Sequence, residues 1–210
     1  MSNIQEFDCR PDSQQGAESS LHWSYQNQKP RSPGQNPGVQ IREHALLGHL
    51  TLRGGAIVLD EAVRDVLGTT LPSRPHAINQ NDAGTHSIQW ISPDEWLVIV
   101  PGGEEFSIEA QLRKALGDAH FSIVNVSGGQ TVLTLSGEKA LEVLMKSTSY
   151  DVHPLAFPVG KGVTTTFGKA TAIIRRPAED HWELVIRRSF ADYIYRWLLD
   201  ASAEYGVTTS

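Results

Sequence analysis

One pattern of apolar spacing, strand then helix then hairpin then helix, occurs twice between about Glu43 and Ala203. Each copy opens on a short strand ending in glycine: Leu50-Thr51-Leu52-Arg53-Gly54, and Leu133-Thr134-Leu135-Ser136-Gly137. The helix that follows puts Ala62, Val63, Val66 and Leu67 on one face in the first copy. In the second it puts Ala140, Leu141, Leu144 and Met145 there, at the same amphipathic spacing. Asp60 reads as the N-cap of the first helix and Gly68 as its stop. A hairpin comes next. Ser87–Ile91 and Trp96–Val100 flank Ser92-Pro93-Asp94-Glu95, while Ala170–Arg176 and Trp182–Ile186 flank Pro177-Ala178-Glu179-Asp180. Pro and Asp supply turn geometry, and β-branched and aromatic residues supply strands. A second helix closes each copy. Ser107 leads Ile108, Leu112, Ala115 and Leu116, and Ser189 leads Phe190, Ile194, Trp197 and Leu198 at a constant offset. Both serines are predicted to cap.

Four elements in the same order, twice, predict an α+β fold. Each copy reads β-α-β-β-α, close to the ferredoxin-like motif. One such half leaves a sheet face uncovered, so the two are predicted to form a single compact unit. The predicted division is an extended N-terminal arm over 1–42, a first repeat with a connecting strand, Phe121–Val126, over 43–126, and a second repeat over 127–210. The arm is rich in Gln, Ser, Pro, Gly and Asn, and Gln26 to Gly38 holds three prolines and two glycines. Such a stretch buries too little apolar area to offset its ordering entropy. It reads either as a mobile tail or as an arm ordered on a partner. Phe7, Trp23 and Tyr25 would be the anchors in the second case.

Composition excludes several classes. A net charge of −6 disfavours binding to nucleic acid or anionic lipid. No apolar run reaches the length of a membrane span. The polar, acid-containing start does not resemble a signal or transit peptide, and a cytoplasmic location is expected. The single cysteine, Cys9, allows neither an internal disulfide nor a thiolate metal cage.

The eight histidines, at 22, 44, 49, 76, 86, 120, 153 and 181, show no paired spacing with glutamate of the kind that builds a zinc site. Gly102-Gly103 and Gly128-Gly129 match neither the dinucleotide fingerprint nor the P-loop. Ser127 lacks the strand–Ser–helix context of a nucleophile elbow, and nothing near Cys9 would lower its pKa. No catalytic, cofactor-binding or metal-ligating residue is therefore expected in this chain. Two basic pairs, Arg175-Arg176 and Arg187-Arg188, lie on the arms of the second hairpin. They read either as one anion-binding patch or as solvated edge charges. Trp182, Tyr193, Tyr195 and Trp197 form a dense aromatic group, read either as core or as a subunit contact, with Tyr195 out of phase with the buried stripe.

The block from Val124-Asn125-Val126-Ser127-Gly128-Gly129 through Thr134-Leu135-Ser136-Gly137, followed by Ala140 and Leu144, resembles the glycine-cleavage T-protein family. Three further segments narrow the resemblance. They are Asp151-Val152-His153-Pro154-Leu155-Ala156-Phe157-Pro158-Val159-Gly160, Phe167-Gly168-Lys169-Ala170, and Arg188-Ser189-Phe190-Ala191-Asp192-Tyr193 with Trp197-Leu198-Leu199-Asp200-Ala201. With Pro93-Asp94-Glu95-Trp96-Leu97 they are similar to the gamma-subunit family of heterotetrameric sarcosine oxidases, over most of the chain beyond about residue 43. That resemblance implies a T-protein-like fold and alpha, beta and delta subunits as partners. It implies a complex carrying FAD, FMN and NAD. The complex would oxidise sarcosine with oxygen to glycine and hydrogen peroxide and pass the one-carbon unit to tetrahydrofolate as 5,10-methylenetetrahydrofolate.

Folate-handling members of the wider family carry an acid after the glycine that opens the second-copy strand. Here that stretch is Gly168-Lys169-Ala170-Thr171, without an acid. A buried pterin edge left without an acceptor would lose about 1–3 kcal/mol. A structural subunit that has lost the folate site is therefore expected. The alternative is a stand-alone folate-binding one-carbon transfer protein holding the glutamate tail with Arg175, Arg187 or Lys169.

Overall fold

The computed structural model describes residues 17–27 and 37–210. Phe7 and Cys9 lie outside them, as does most of the Pro-rich stretch.

The first repeat runs β2 (Gly48–Gly54), α2 (Ala56–Leu67), β3 (Ile78–Gln80), β4 (Ser87–Ser92), β5 (Glu95–Val100) and α3 (Glu105–Leu116), followed by β6 (Phe121–Asn125). The second runs β7 (Gln130–Ser136), α4 (Ala140–Ser147), β8 (Lys161–Phe167), β9 (Ala170–Arg176), β10 (His181–Arg187) and α5 (Ala191–Ala201), followed by β11 (Val207–Thr209). Before both stand α1 (His22–Asn27) and β1 (Val39–His44). The architecture is α+β, as predicted. Each repeat holds one strand more than the sequence pattern indicated. β3 is too short to show alternation, and β8 contains three consecutive threonines that read as polar loop although they are β-branched.

The sheet orders are β3-β4-β5-β2-β6 and, read in the same sense, β8-β9-β10-β7-β1-β11. The two correspond strand for strand, with β1 in the second sheet where β6 stands in the first. β1 runs antiparallel to β7 from Gln40↔Ser136 to His44↔Val132. The boundary expected at residue 43 thus falls inside a strand of the second sheet, and the two halves are interleaved in sequence.

Side chains alternate between two packing surfaces. Leu50, Leu52, Ile88, Trp96, Val98 and Val100 face α2 and α3. Leu133, Leu135, Ile174 and Leu184 face α4 and α5. The opposite faces of the sheets meet through Leu97, Ile99, Val132 and Val185, giving helix, sheet, sheet, helix layers. The short arm helix joins the second core. Leu21 is fully buried, Tyr25 packs edge-on to Tyr195 with centroids 5.3 Å apart, and Ser24 donates to Asp192 at 2.7 Å.

Several local expectations are corrected. Gly68 ends α2 in the left-handed region and donates to Arg64, as expected. Asp60, however, lies inside that helix, and its carboxylate accepts from the Leu71 N–H at 2.8 Å. Ser107 sits in the first turn of α3 and donates back to the Glu104 carbonyl, and Ser189 lies in a 3-10 turn ahead of α5; neither caps. Met145, Ala115 and Phe190 are exposed, whereas Val143 and Tyr195 are buried. Tyr195 is buried because α1 covers the flank of α5, a contact that α5's own periodicity does not encode.

Candidate functional site

The two basic pairs do not form a patch. Register pairs Arg175 with Glu183, while Arg187 lies four residues further along β10, about 13 Å away at strand rise. Arg175 points between the sheets and is fully buried. Its Nη1 lies 3.2 Å from Glu183 Oε2, and its Nη2 donates to Ser87 Oγ of the other sheet at 2.8 Å. Burial pulls its pKa below the usual guanidinium value, and the Glu183 carboxylate opposes that. Arg176 points the other way, donating to the Phe157 carbonyl and stacking on Trp182.

The Gly168-Lys169 stretch is a two-residue turn joining β8 and β9, closed by the Phe167↔Ala170 pair. Gly168 has φ +59, the conformation glycine supplies at the first position of such a turn. Its N–H donates to the Ser147 carbonyl at 2.7 Å, and the Lys169 N–H donates to Tyr193 Oη at 2.9 Å. Trp197 Nε1 donates to Ser147 Oγ at 3.0 Å. A Cβ at Gly168 would lie 2.8 Å from Tyr193 Oη and 3.2 Å from the Trp197 ring. Tyr193 and Trp197 thus close the turn with side chains.

Among the histidines, His49 stands out. It is fully buried beside the inter-sheet seam, and burial pushes its pKa down to about 4. The Leu47 carbonyl opposes that shift, and Arg175 adds to it. Burial also lowers His44, whose ring nitrogen lies 2.7 Å from Thr134 Oγ1. Among the described residues, no group of three His, Cys, Asp or Glu side chains could hold a metal. Ser127 opens a 3-10 turn, donates to Asn125 Oδ1 at 2.6 Å and accepts from the His49 N–H at 2.9 Å, so its hydroxyl is committed to the fold.

A cleft of about 930 Å³ runs along the seam between the repeats, lined among others by Leu46, Leu47, Phe106, Ser127, Gly128 and Arg188. Gly102-Gly103, Ser127, Gly128 and Arg188 of this lining are prominent in the sequence for other reasons, whereas Leu46 and Phe106 belong to no periodic stripe.

The profile of the sarcosine oxidase gamma subunit family matches residues 54–204. The sarcosine oxidase subunit gamma of Corynebacterium sp. (strain P-1) is 37% identical over 172 residues, covering 80% of this chain and 81% of that one. That of Arthrobacter sp. is 31% identical over 191 residues, covering 85% and 93%. A chain of the heterotetrameric sarcosine oxidase from Corynebacterium sp. U-96, solved with pyrrole 2-carboxylate, superposes with a TM-score of 0.80 at 26% identity. The match covers 90% of this chain and 96% of that one. The glycine cleavage system aminomethyltransferase T from Bartonella henselae shares the fold at a TM-score of 0.58 and 13% identity, over 83% of this chain and 48% of that one. The family profile and the curated relatives together show that this chain belongs to the sarcosine oxidase gamma subunit family.

Proposed function

We propose that this chain is a structural subunit of a heterotetrameric sarcosine oxidase and holds no catalytic, cofactor-binding or metal-ligating residue of its own. The alpha, beta and delta subunits would be its partners and would carry FAD, FMN and NAD. The assembly would work in the cytoplasm and deliver the one-carbon unit of sarcosine to tetrahydrofolate. Among the described residues, no helix is long and apolar enough to cross a membrane.

The observation that carries the reading is the turn at Gly168-Lys169. It offers no carboxylate, and Tyr193 and Trp197 pack against it. The alternative, a folate carrier in its own right, called on Arg175, Arg187 or Lys169 for the glutamate tail. Arg175 is buried and paired with Glu183, and Arg187 stands at the far end of its strand. Neither arrangement favours that reading.

Co-expression of the other three subunits with and without this chain tests the role. Loss of a stable, active complex in its absence is expected. A three-subunit complex with normal turnover would overturn the reading. Calorimetry of the isolated chain with tetrahydrofolate is expected to show no heat of binding, and micromolar binding would instead support the folate carrier.

A further inference from the structure

His86 stands where two helix ends approach each other, just ahead of β4. The loop from Asn81 fixes its backbone. Its N–H donates to Asn81 Oδ1 at 3.1 Å, and its carbonyl accepts from the Asn81 N–H at 3.1 Å. The imidazole then lies between the last residue of α2 and the residue before α3. Nδ1 is 3.2 Å from the Leu67 carbonyl oxygen, and Nε2 is 3.1 Å from Glu104 Oε2. The ring is well shielded, with 18% of the side chain exposed.

Both partners are acceptors. A carbonyl oxygen has no proton to give, and neither has an ionised carboxylate. A neutral imidazole carries one N–H and satisfies one of them. Only the doubly protonated ring bonds both at once. The surroundings suit that cation. Leu67 lies at the C-terminal, negative end of the α2 dipole, where helix carbonyls lack intrahelical partners. Glu104 stands at the N-terminal, positive end of α3. The other charged groups of these segments are engaged elsewhere or exposed. Arg64 in the last turn of α2 pairs with Asp60, Glu105 accepts from the Gly103 N–H, and Asp82 of the loop is exposed. Among the described residues, Glu104 is the carboxylate bonded to the ring.

We propose that His86 is a proton-dependent latch between α2 and α3. The protonated ring ties the Leu67 carbonyl to Glu104, and the neutral ring keeps one of the two bonds. Both helices pack on the same face of the first sheet through Leu59, Val63, Ile108 and Leu112. Release therefore loosens the loop and the head of α3 without unfolding the helix pair. The latch stabilises the chain at acid pH, and that contribution fades as rising pH removes the ring proton. His49 works in the opposite sense, because burial disfavours its charged form. The device does not depend on the subunit reading above.

The test is scanning calorimetry of the full-length chain, wild type and Glu104→Gln, at about pH 5.5 and about pH 8, on either side of the ordinary imidazole range. A glutamine amide can accept from the ring or donate to it, so Glu104→Gln bonds the ring in either protonation state. Glu104 is 49% exposed, so the variant keeps the fold. Comparing the two proteins cancels the contributions of His44 and His49, which both retain. Between the acid and the alkaline condition, the melting temperature of wild type is expected to fall by about 2 °C relative to the variant. His86→Gln has no titrating ring at this position and is expected to follow the pH response of Glu104→Gln. An equal pH response in wild type and Glu104→Gln would overturn the latch and leave His86 a fixed contact. A wild type that gains on the variant as pH rises would overturn it as well.

Discussion

Arg175 and Glu183 face each other across the β9–β10 ladder with Nη1 3.2 Å from Oε2, and the same guanidinium reaches Ser87 in the opposite sheet. This one cation joins the two sheets beside the apolar contacts of Leu97, Ile99, Val132 and Val185. Its charge is tolerated there because a carboxylate and a hydroxyl replace the lost water.

Removing one partner should therefore cost more than removing both. Glu183→Gln leaves a buried cation without its counter-charge and is expected to lower stability by about 3 kcal/mol. The double change Arg175→Met with Glu183→Leu is expected to recover most of that loss. Urea denaturation with unchanged m-values would measure both, and a double variant as unstable as the single would refute the coupling.

Gly168→Ala places a methyl group against Tyr193 Oη and Trp197 in a backbone region that alanine resists. A loss of about 2 kcal/mol is expected. For a domain of this size that lowers the melting temperature by about 6 °C. Tyr193→Phe in the same background removes the clash with the hydroxyl and is expected to restore part of the loss. Scanning calorimetry of the three proteins decides it.

His49 is expected to contribute to the acid limb of stability. Its folded pKa of about 4 lies below the unfolded value of about 6.5, so the unfolded chain takes up the proton first. Stability is unaffected by this group above pH 6.5, falls as pH drops through the window, and is lower by roughly 3 kcal/mol below pH 4. His49→Gln is expected to make the stability profile less steep between pH 6.5 and 4, with His44 still contributing in the same direction. An unchanged slope in that variant would assign the acid limb to other groups.

Leu21 lies in a polar N-terminal segment yet is fully buried in the second core. Leu21→Ala is expected to cost about 3 kcal/mol, as for other large core truncations. The same change at an unpacked tail position would be silent, so guanidinium denaturation tells the two apart.

Much of the architecture was readable from local chemistry. Pro93-Asp94 and Pro177–Asp180 bracket the hairpins because those residues favour turn dihedrals wherever they occur. The stripe through Ala62, Val63 and Leu67 is buried, and Gly68 stops its helix, because both follow from the 3.6-residue period and a left-handed cap. The same reasoning failed where a distant segment decided the outcome. Tyr195 looked out of phase until α1 covered it, and Asp60 looked like a cap until Leu71 returned to claim its carboxylate.

The site followed the same division. That Gly168-Lys169-Ala170-Thr171 carries no acid is a property of the sequence alone. That the turn is packed by Tyr193 and Trp197, and that Arg175 faces inward while Arg187 lies at the far end of the strand, depends on register between strands. The repeated periodicity, the turn residues and the lack of cofactor motifs belong to the sequence, because each arises from interactions within a few residues. The crossing of β1 into the second sheet, the hydrogen bond from Arg175 to Ser87 of the other sheet and the close approach of the Leu46 carbonyl to Gly102 belong to the tertiary structure. They bring together residues far apart in the chain, and no local preference encodes which of the possible partners meet.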